Sequence, residues 1–305
     1  MTHVLFITEK YHSGPNYGLT NNIYNLVGSY ECSGYGTYEH HFIDPENIWS
    51  SQGVDAVLMS QSYDAAIISV YHHLPSPGVA AKIGHKTFMC WWDSIISMGG
   101  VMGWAGMIHQ ACFDWGKGQE HPNCYCVDVP QDTRKFYRDS NVVKDIDVSF
   151  VGSIGSPWSD RANTINKIKE AGINIWAGGG RGPGYDNLSI DEYANMFRRS
   201  KICLNLSYGH GRPQRKGRSF EIAASGAFML TNCPEMFNGK EGNWFDENVD
   251  YVSFNDNNLI EKIHYYLNND SERNEIADNI YNKYMSYYAP NHFWSKILNI
   301  CGAKH

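Results

Sequence analysis

Residues 211–231 read GRPQRKGRSFEIAASGAFMLT and contain, in order, a basic turn, a predicted helix and a predicted strand. Four basic residues lie within eight positions of this stretch: Arg212, Arg215, Lys216 and Arg218. The next residues predict a helix over 219–225, because Gly226 stands where a helix commonly ends. Residues 228–231 are an apolar run that predicts a buried strand. A helix followed directly by a buried strand is typical of an α/β sheet.

The same alternation extends along the rest of the chain. Short apolar runs predict strands at 4–8, 65–71, 87–92, 107–113, 123–127, 148–151, 173–177 and 202–206. Apolar residues at helical spacing predict helices at 20–27, 160–171, 190–199 and 259–267, and a last one around Ile276 and Ile280. We therefore expect an α/β fold with two doubly wound domains, 1–135 and 136–287. A C-terminal helix at about 288–305 is expected to pack back on the first domain.

Composition limits the function classes. The 305 residues carry a net charge of −7, and an acidic chain is a poor general binder of nucleic acid or anionic membranes. Eight cysteines include no CxxC pair, and the N-terminus lacks a signal-peptide pattern, so we expect a cytoplasmic protein without disulfides or zinc. Residues 94–113 have no formal charge, but their four glycines argue against a membrane span.

The basic turn has a chemical interpretation. A helix start presents unpaired N–H groups and a positive dipole end, so Ser219 and its basic neighbours could bind a phosphate. Arg and Lys side chains would add charge-assisted hydrogen bonds to a diphosphate. Glu221, near the helix start, could accept hydrogen bonds from both vicinal hydroxyls of a ribose. The alternatives are a solvated basic loop and a carboxylate that only complements the helix dipole.

Three segments resemble group 1 glycosyltransferases, and their order along the chain also matches that family. Residues 219–231 resemble their "E-A-x-A-x-G-x-P-V" segment, 147–152 their "x-x-F-V-G" strand, and 193–207 their "Y-x-x-S-K-x-x-L-N" helix and strand. The nearest likeness is to the CgeB-like (spore-maturation-protein-like) branch, which also occurs in phages. The resemblance implies a GT-B fold, in which two Rossmann-like domains face each other across a cleft. It also implies a nucleotide-sugar donor held mainly by the C-terminal domain without a bound metal or cofactor.

The resemblance assigns donor-site residues. Glu221 would hold the donor ribose, Gly152 and Ser153 would line the diphosphate and base pocket, and Tyr208 would lie near the base with loop 178–184. Two positions depart from the family pattern: Pro213 replaces a glutamate and Ser153 replaces an arginine. We therefore expect the basic turn to supply the missing positive charge. Arg215, Lys216 or Arg218 is expected to do so, and Arg212 is expected to be a further donor-binding residue. Arg215 and Lys216 are expected to act on the leaving diphosphate.

The N-terminal half supplies further candidates. Gly18 lies in a glycine-containing loop after the first strand and could approach the donor phosphate. His73, Trp92 and Asp93 follow two predicted strands and are expected on the acceptor side. Trp92 could stack on a sugar ring, and Asp93 could act as a base toward an acceptor hydroxyl. The alternatives are ordinary turn, capping and core roles for these residues.

The Asp145-Ile146-Asp147 triplet has the DxD form of a metal site, but it precedes a strand instead of following one. No metal site is therefore expected there.

These features predict a hexosyltransferase-type enzyme that transfers a sugar from a nucleotide-diphosphate sugar, with a UDP-sugar favoured. Retention of configuration and independence from metal are expected by analogy with the family. The acceptor is left open among a glycan, a lipid, a protein and a modified base. Two alternatives remain: a nucleotide-sugar epimerase on the same fold, and a non-catalytic nucleotide- or glycan-binding protein.

Overall fold

The computed structural model describes residues 1–9, 21–43, 51–69, 75–92, 106–113, 123–154, 159–179, 188–209, 212–213, 215–239 and 242–304. The chain divides into two compact units, Met1–Asp132 with Pro290–His305, and Thr133–Ala289. No helix in these ranges is long and apolar enough to cross a membrane.

The first unit contains a six-stranded parallel sheet. Its elements are β1 (Thr2–Glu9), α1 (Asn21–Ser33), β2 (Gly36–Ile43), α2 (Ser51–Ser60), β3 (Ala65–Ser69), α3 (Pro77–Ile83), β4 (Thr87–Trp91), β5 (His109–Cys112) and β6 (Cys124–Cys126). The strand order is β2-β1-β3-β4-β5-β6. Strands β3 and β4 are buried along their whole length, because helices cover both faces of a parallel sheet.

The second unit contains a five-stranded parallel sheet in the order β15-β12-β9-β7-β8. Its strands are β7 (Ile146–Gly152), β8 (Ile175–Gly179), β9 (Ser200–Asn205), β12 (Met229–Thr231) and β15 (Val252–Ser253). Its helices are α4 (Ser159–Glu170), α5 (Ile190–Arg199), α6 (Arg218–Ala224), α7 (Leu259–Asn268) and α8 (Asp270–Tyr287). Two short hairpins pair β10 (Tyr208–Gly209) with β11 (Arg212–Pro213), and β13 (Asn238–Gly239) with β14 (Gly242–Asn243).

The last helix, α9 (Pro290–Ile300), belongs to the first unit. Trp294 of α9 is fully buried, and its ring packs edge-on against Phe6 of β1 and Tyr30 of α1, with centroids 5.7 and 5.0 Å away. The indole N–H donates to the Ser29 hydroxyl at 2.9 Å. The opposite face of the sheet packs against α2 and α3 through a separate apolar cluster.

The strand order of the second unit contains a point where the direction of winding reverses. From β7 the chain first moves to β8 on one side, and β9, β12 and β15 then follow on the other side. The direction of winding therefore reverses between β7 and β9. In open parallel sheets, ligands bind beyond the carboxyl ends of the strands at such a reversal point. In this unit the reversal point lies between the segment that follows Gly152 and the segment that follows Asn205.

The predicted alternation of strands and helices is confirmed in both units, including a helix over Ile190–Arg199. Elements β2, α2, α3 and β15, together with the four short hairpin strands, were absent from the sequence-based prediction. Strand β2 lies at the edge of its sheet, and polar residues make up much of it, so it does not stand out as an apolar run. Helix α6 begins at Arg218, one residue before the predicted start.

Candidate functional site

Strand β7 ends at Gly152 directly against the side chain of Arg218. Gly152 has φ +148°, and a Cβ added to it would overlap the Arg218 guanidinium group. The Nε atom of Arg218 donates to the Val151 carbonyl at 2.6 Å, and its Cζ lies 4.5 Å from the ring centroid of Phe150. A glycine is therefore required here, because the backbone and the guanidinium approach each other closely.

Arg218 also has an unused hydrogen-bond donor. The side chain is only 8% exposed, and its Nη1 atom has no hydrogen-bond partner in the described part of the chain. A buried donor without a partner is costly, and more so on a charged group. The position of this donor beside the end of β7 suits an anionic ligand.

A second buried arginine lies at the same reversal point. Arg161 of α4 donates from Nε to the Leu206 carbonyl at 3.1 Å and from Nη1 to the Ser153 carbonyl at 2.9 Å. It therefore joins the segments that follow β9 and β7. Together, Arg161 and Arg218 hold the carbonyls on either side of Gly152. Arg161 was not predicted from the sequence, because an arginine inside a helix shows no distinctive spacing.

Glu221 is buried between α5 and α6. Its Oε2 atom accepts a hydrogen bond from the Tyr193 hydroxyl at 2.8 Å, and the side chain is 3% exposed. Burial raises the pKa of Glu221 from 4.5 to about 7, although the Tyr193 hydrogen bond and the charge of Arg218 act in the opposite direction. Burial also raises the pKa of Tyr193 well above its ordinary value, so Tyr193 remains the proton donor of the pair.

The start of α6 differs from the prediction. The N–H groups of Ser219 and Phe220 already donate to the carbonyls of Lys216 and Gly217, at 3.2 and 2.9 Å. These two N–H groups are therefore engaged within the turn, and the donor-binding role of Ser219 stays a prediction. The Ser219 hydroxyl is buried and accepts from the Asn205 side chain at 3.0 Å, which ties α6 to the end of β9.

Two basic side chains of the turn, Arg215 and Arg218, are buried. Arg215 is 1% exposed, and its Cζ lies 4.2 Å from the ring centroid of Trp244. The Trp244 ring in turn stacks on Tyr288. Lys216 is half-buried. Tyr208 and Arg212 lie on the two strands of the β10–β11 hairpin that leads into the turn. The structure thus brings Arg218 to the end of β7 and packs Arg215 on an aromatic ring.

Of the candidates in the N-terminal half, Gly18, His73 and Asp93 lie outside the described residues. Trp92 lies just after β4. Its indole N–H donates to the Ser69 hydroxyl at 2.7 Å, and its ring stacks on Phe113 with centroids 4.2 Å apart. One face of the Trp92 ring is therefore already used inside the unit.

The Asp145-Ile146-Asp147 triplet is engaged in ion pairs at the amino end of β7. Asp145 accepts two hydrogen bonds from Arg199, at 2.8 and 2.6 Å, and Asp147 pairs with Lys201 at 2.6 Å. Over the described ranges, no group of three or more His, Cys, Asp or Glu residues could hold a metal ion.

Comparisons with known proteins agree with this architecture. The model of a family described as glycosyl transferase-like matches residues 134–299, more than half of the chain. The fold is similar to HepE from Anabaena in complex with UDP and glucose, with 10% identity and a TM-score of 0.60 over 98% of this chain and 100% of HepE. It is also similar to a TarM variant from S. aureus, with 12% identity and a TM-score of 0.52 over 83% of this chain and 58% of TarM. No curated protein matches the sequence. The chain therefore belongs to the glycosyl transferase-like family and has the GT-B fold.

Proposed function

We propose that the protein is a glycosyltransferase that moves a hexosyl group from a nucleoside-diphosphate sugar, with UDP as the favoured nucleotide, to an acceptor. The observation that carries this proposal is the buried Nη1 of Arg218, which has no partner among the described residues and lies beside Gly152. A diphosphate oxygen would satisfy this donor. Family membership supports the reaction class, and the complexes of HepE with UDP and UDP-glucose support the choice of nucleotide.

In the proposed reaction the acceptor's nucleophilic group forms a bond to the anomeric carbon and loses its proton to solvent. The bond from that carbon to the diphosphate breaks, and negative charge develops on the diphosphate. A guanidinium fixed by Val151 and Phe150 is already oriented toward that charge, so little reorganisation is needed in the transition state. Arg161 fixes the neighbouring backbone. Glu221 accepts hydrogen bonds from the ribose hydroxyls. Its ionised form is the better acceptor and predominates above pH 7.

We also propose that the reaction needs no metal ion and retains the configuration of the sugar. The cationic group at the end of β7 supports metal independence, because it can neutralise the leaving diphosphate. The DxD triplet lies at the opposite end of that strand and is ion-paired. Retention and a place in the CgeB-like branch are supported by the sequence resemblance of 219–231. The acceptor is proposed to be a glycan, a lipid, a protein or a modified base.

A donor panel tests the proposed function. UDP-, GDP- and ADP-sugars are incubated with the purified protein, with and without candidate acceptors, and release of nucleoside diphosphate is measured. We expect acceptor-dependent release from one donor class, unchanged by a metal chelator. Loss of release with chelator and its recovery with manganese would contradict metal independence. Tight nucleotide binding without release from any donor would instead indicate a non-catalytic binding protein.

A further inference from the structure

We propose that Tyr193 is a positioning residue of the donor site and that its hydroxyl holds the Glu221 carboxyl group in the orientation that receives the donor ribose. This inference rests on the proposed function. Tyr193 lies on α5 and Glu221 on α6, so the 2.8 Å hydrogen bond joins two helices that flank the same sheet face. Tyr193 belongs to none of the sites predicted from the sequence.

The hydroxyl of Tyr193 occupies a well-defined position. The side chain is buried, and its ring packs edge-on against Phe136 and Phe197, with centroids 6.2 and 5.3 Å away. The capping box of Ser189 and Glu192 fixes the start of α5, one turn before Tyr193. Because the ring and its helix are both held, the hydroxyl can fix the orientation of the carboxyl group.

The same hydrogen bond affects which form of Glu221 is present. Among the described residues, two groups act on the carboxyl group against the effect of burial: Tyr193 from α5 and Arg218 from the same helix. Arg218 also acts on the Tyr193 hydroxyl. Removing the hydroxyl would take away one of the contributions that oppose the effect of burial. The pKa of Glu221 would then rise further, and its neutral form would predominate at neutral pH.

A purely structural role would give a different result. If the bond only held α5 to α6, its loss would lower stability and leave the pH dependence of ligand binding unchanged. If it positions Glu221, its loss would weaken ligand binding most at neutral pH. Raising the pH would restore part of that binding, because the carboxyl group would ionise again. These outcomes differ in the shape of a pH profile, which separates the two roles.

The test measures UDP affinity by calorimetry between pH 6 and 9 for the wild type and for Tyr193→Phe. We expect binding about tenfold weaker at pH 7, recovery toward pH 9, and an upward shift of the pH midpoint. The ionisation of UDP itself cancels in the comparison at each pH. Tyr266→Phe is the matched control, because Tyr266 also donates to a glutamate, Glu272, but between α7 and α8. It should leave the profile unchanged.

A double-mutant cycle checks that Tyr193 acts through Glu221. In a Glu221→Gln background, Tyr193→Phe should have little further effect on UDP affinity. If Tyr193→Phe does not fold, Glu221→Asp withdraws the carboxyl group from the hydroxyl and should shift the pH midpoint in the same direction. An unchanged midpoint in the folded variant overturns the inference. Failure of the wild type to bind any nucleoside diphosphate instead overturns the proposed function.

Discussion

Gly152 illustrates how one residue controls the geometry of the proposed donor site. Its backbone has φ +148°, and a side chain there would overlap the Arg218 guanidinium. We expect Gly152→Ala to displace Arg218 and weaken UDP binding tenfold or more, as measured by calorimetry. Gly172→Ala is the matched control. Gly172 also has positive φ but no atom near its Cβ position, so this variant should lose about 1 kcal/mol of stability and keep its affinity.

Glu221 makes stability depend on pH. Its pKa is about 7 in the folded protein and 4.5 ordinarily, so between these values the folded state holds a proton that the unfolded state has released. The free energy of unfolding must then fall as the pH rises from 4.5 to 7, by up to about 3 kcal/mol. Glu221→Gln should remove this decrease. Urea unfolding of both proteins at pH 5 and pH 8 measures it, and equal pH dependence in the two would contradict the account.

At the residue scale, the sequence predicts the site only in part. Arg218 and Glu221 could be identified because they lie in one continuous stretch, and the structure brings them close together beside β7. Arg161 and Tyr193 could not be identified from the sequence. Arg161 is 45 positions from Leu206 and Tyr193 is 28 positions from Glu221, so each contact depends on how separate elements pack. The contact of Arg215 with Trp244 likewise depends on packing between separate segments, and its expected role at the leaving diphosphate stays a prediction.

Three elements meet at the reversal point of the second sheet: α4, β7 and β9. Arg161 of α4 donates to the carbonyls of Ser153 and Leu206, which follow the two strands. We expect Arg161→Lys to keep the positive charge but lose one of the two contacts, since a lysine cannot span both carbonyls. UDP affinity should fall about tenfold, because the segment after β7 is no longer fixed.

The control for Arg161 is another buried arginine. Arg273 of α8 donates to the Tyr266 carbonyl at 2.6 Å, between α7 and α8. Arg273→Lys should lower thermal stability by a similar amount and leave UDP affinity unchanged. Equal loss of affinity in both variants would mean that Arg161 acts only through overall stability.

At the element scale, the apolar pattern predicts strands that are covered on both faces and misses a polar edge strand. Strands β3 and β4 are fully buried and were predicted, whereas the edge strand β2 was not. The basic turn shows a second limit. The sequence predicts a helix start there. However, α6 has only seven residues, and N–H groups of its first turn already donate to nearby backbone carbonyls. Such local hydrogen bonds depend on turn geometry, which the residue types alone do not determine.

At the scale of the whole molecule, the chain returns to its first unit through α9. Trp294 anchors this helix against Phe6 and Tyr30, so we expect Trp294→Ala to destabilise the first unit by about 3–5 kcal/mol. Thermal and urea unfolding measure this loss. Tyr287→Ala, at a position 67% exposed near the end of α8, should change stability by less than about 0.5 kcal/mol. A small effect at Trp294 would show that α9 contributes little to the first unit.

The end of β7 in the second unit is proposed to bind a nucleoside diphosphate through Arg218. Calorimetric titration with UDP of the wild type, Arg218→Gln and Arg199→Gln tests it most directly. Arg199 carries the same charge at the opposite end of β7, where it pairs with Asp145. We predict that Arg218→Gln weakens UDP binding about a hundredfold while Arg199→Gln binds like the wild type. Equal affinity of the wild type and a folded Arg218→Gln protein would contradict the account.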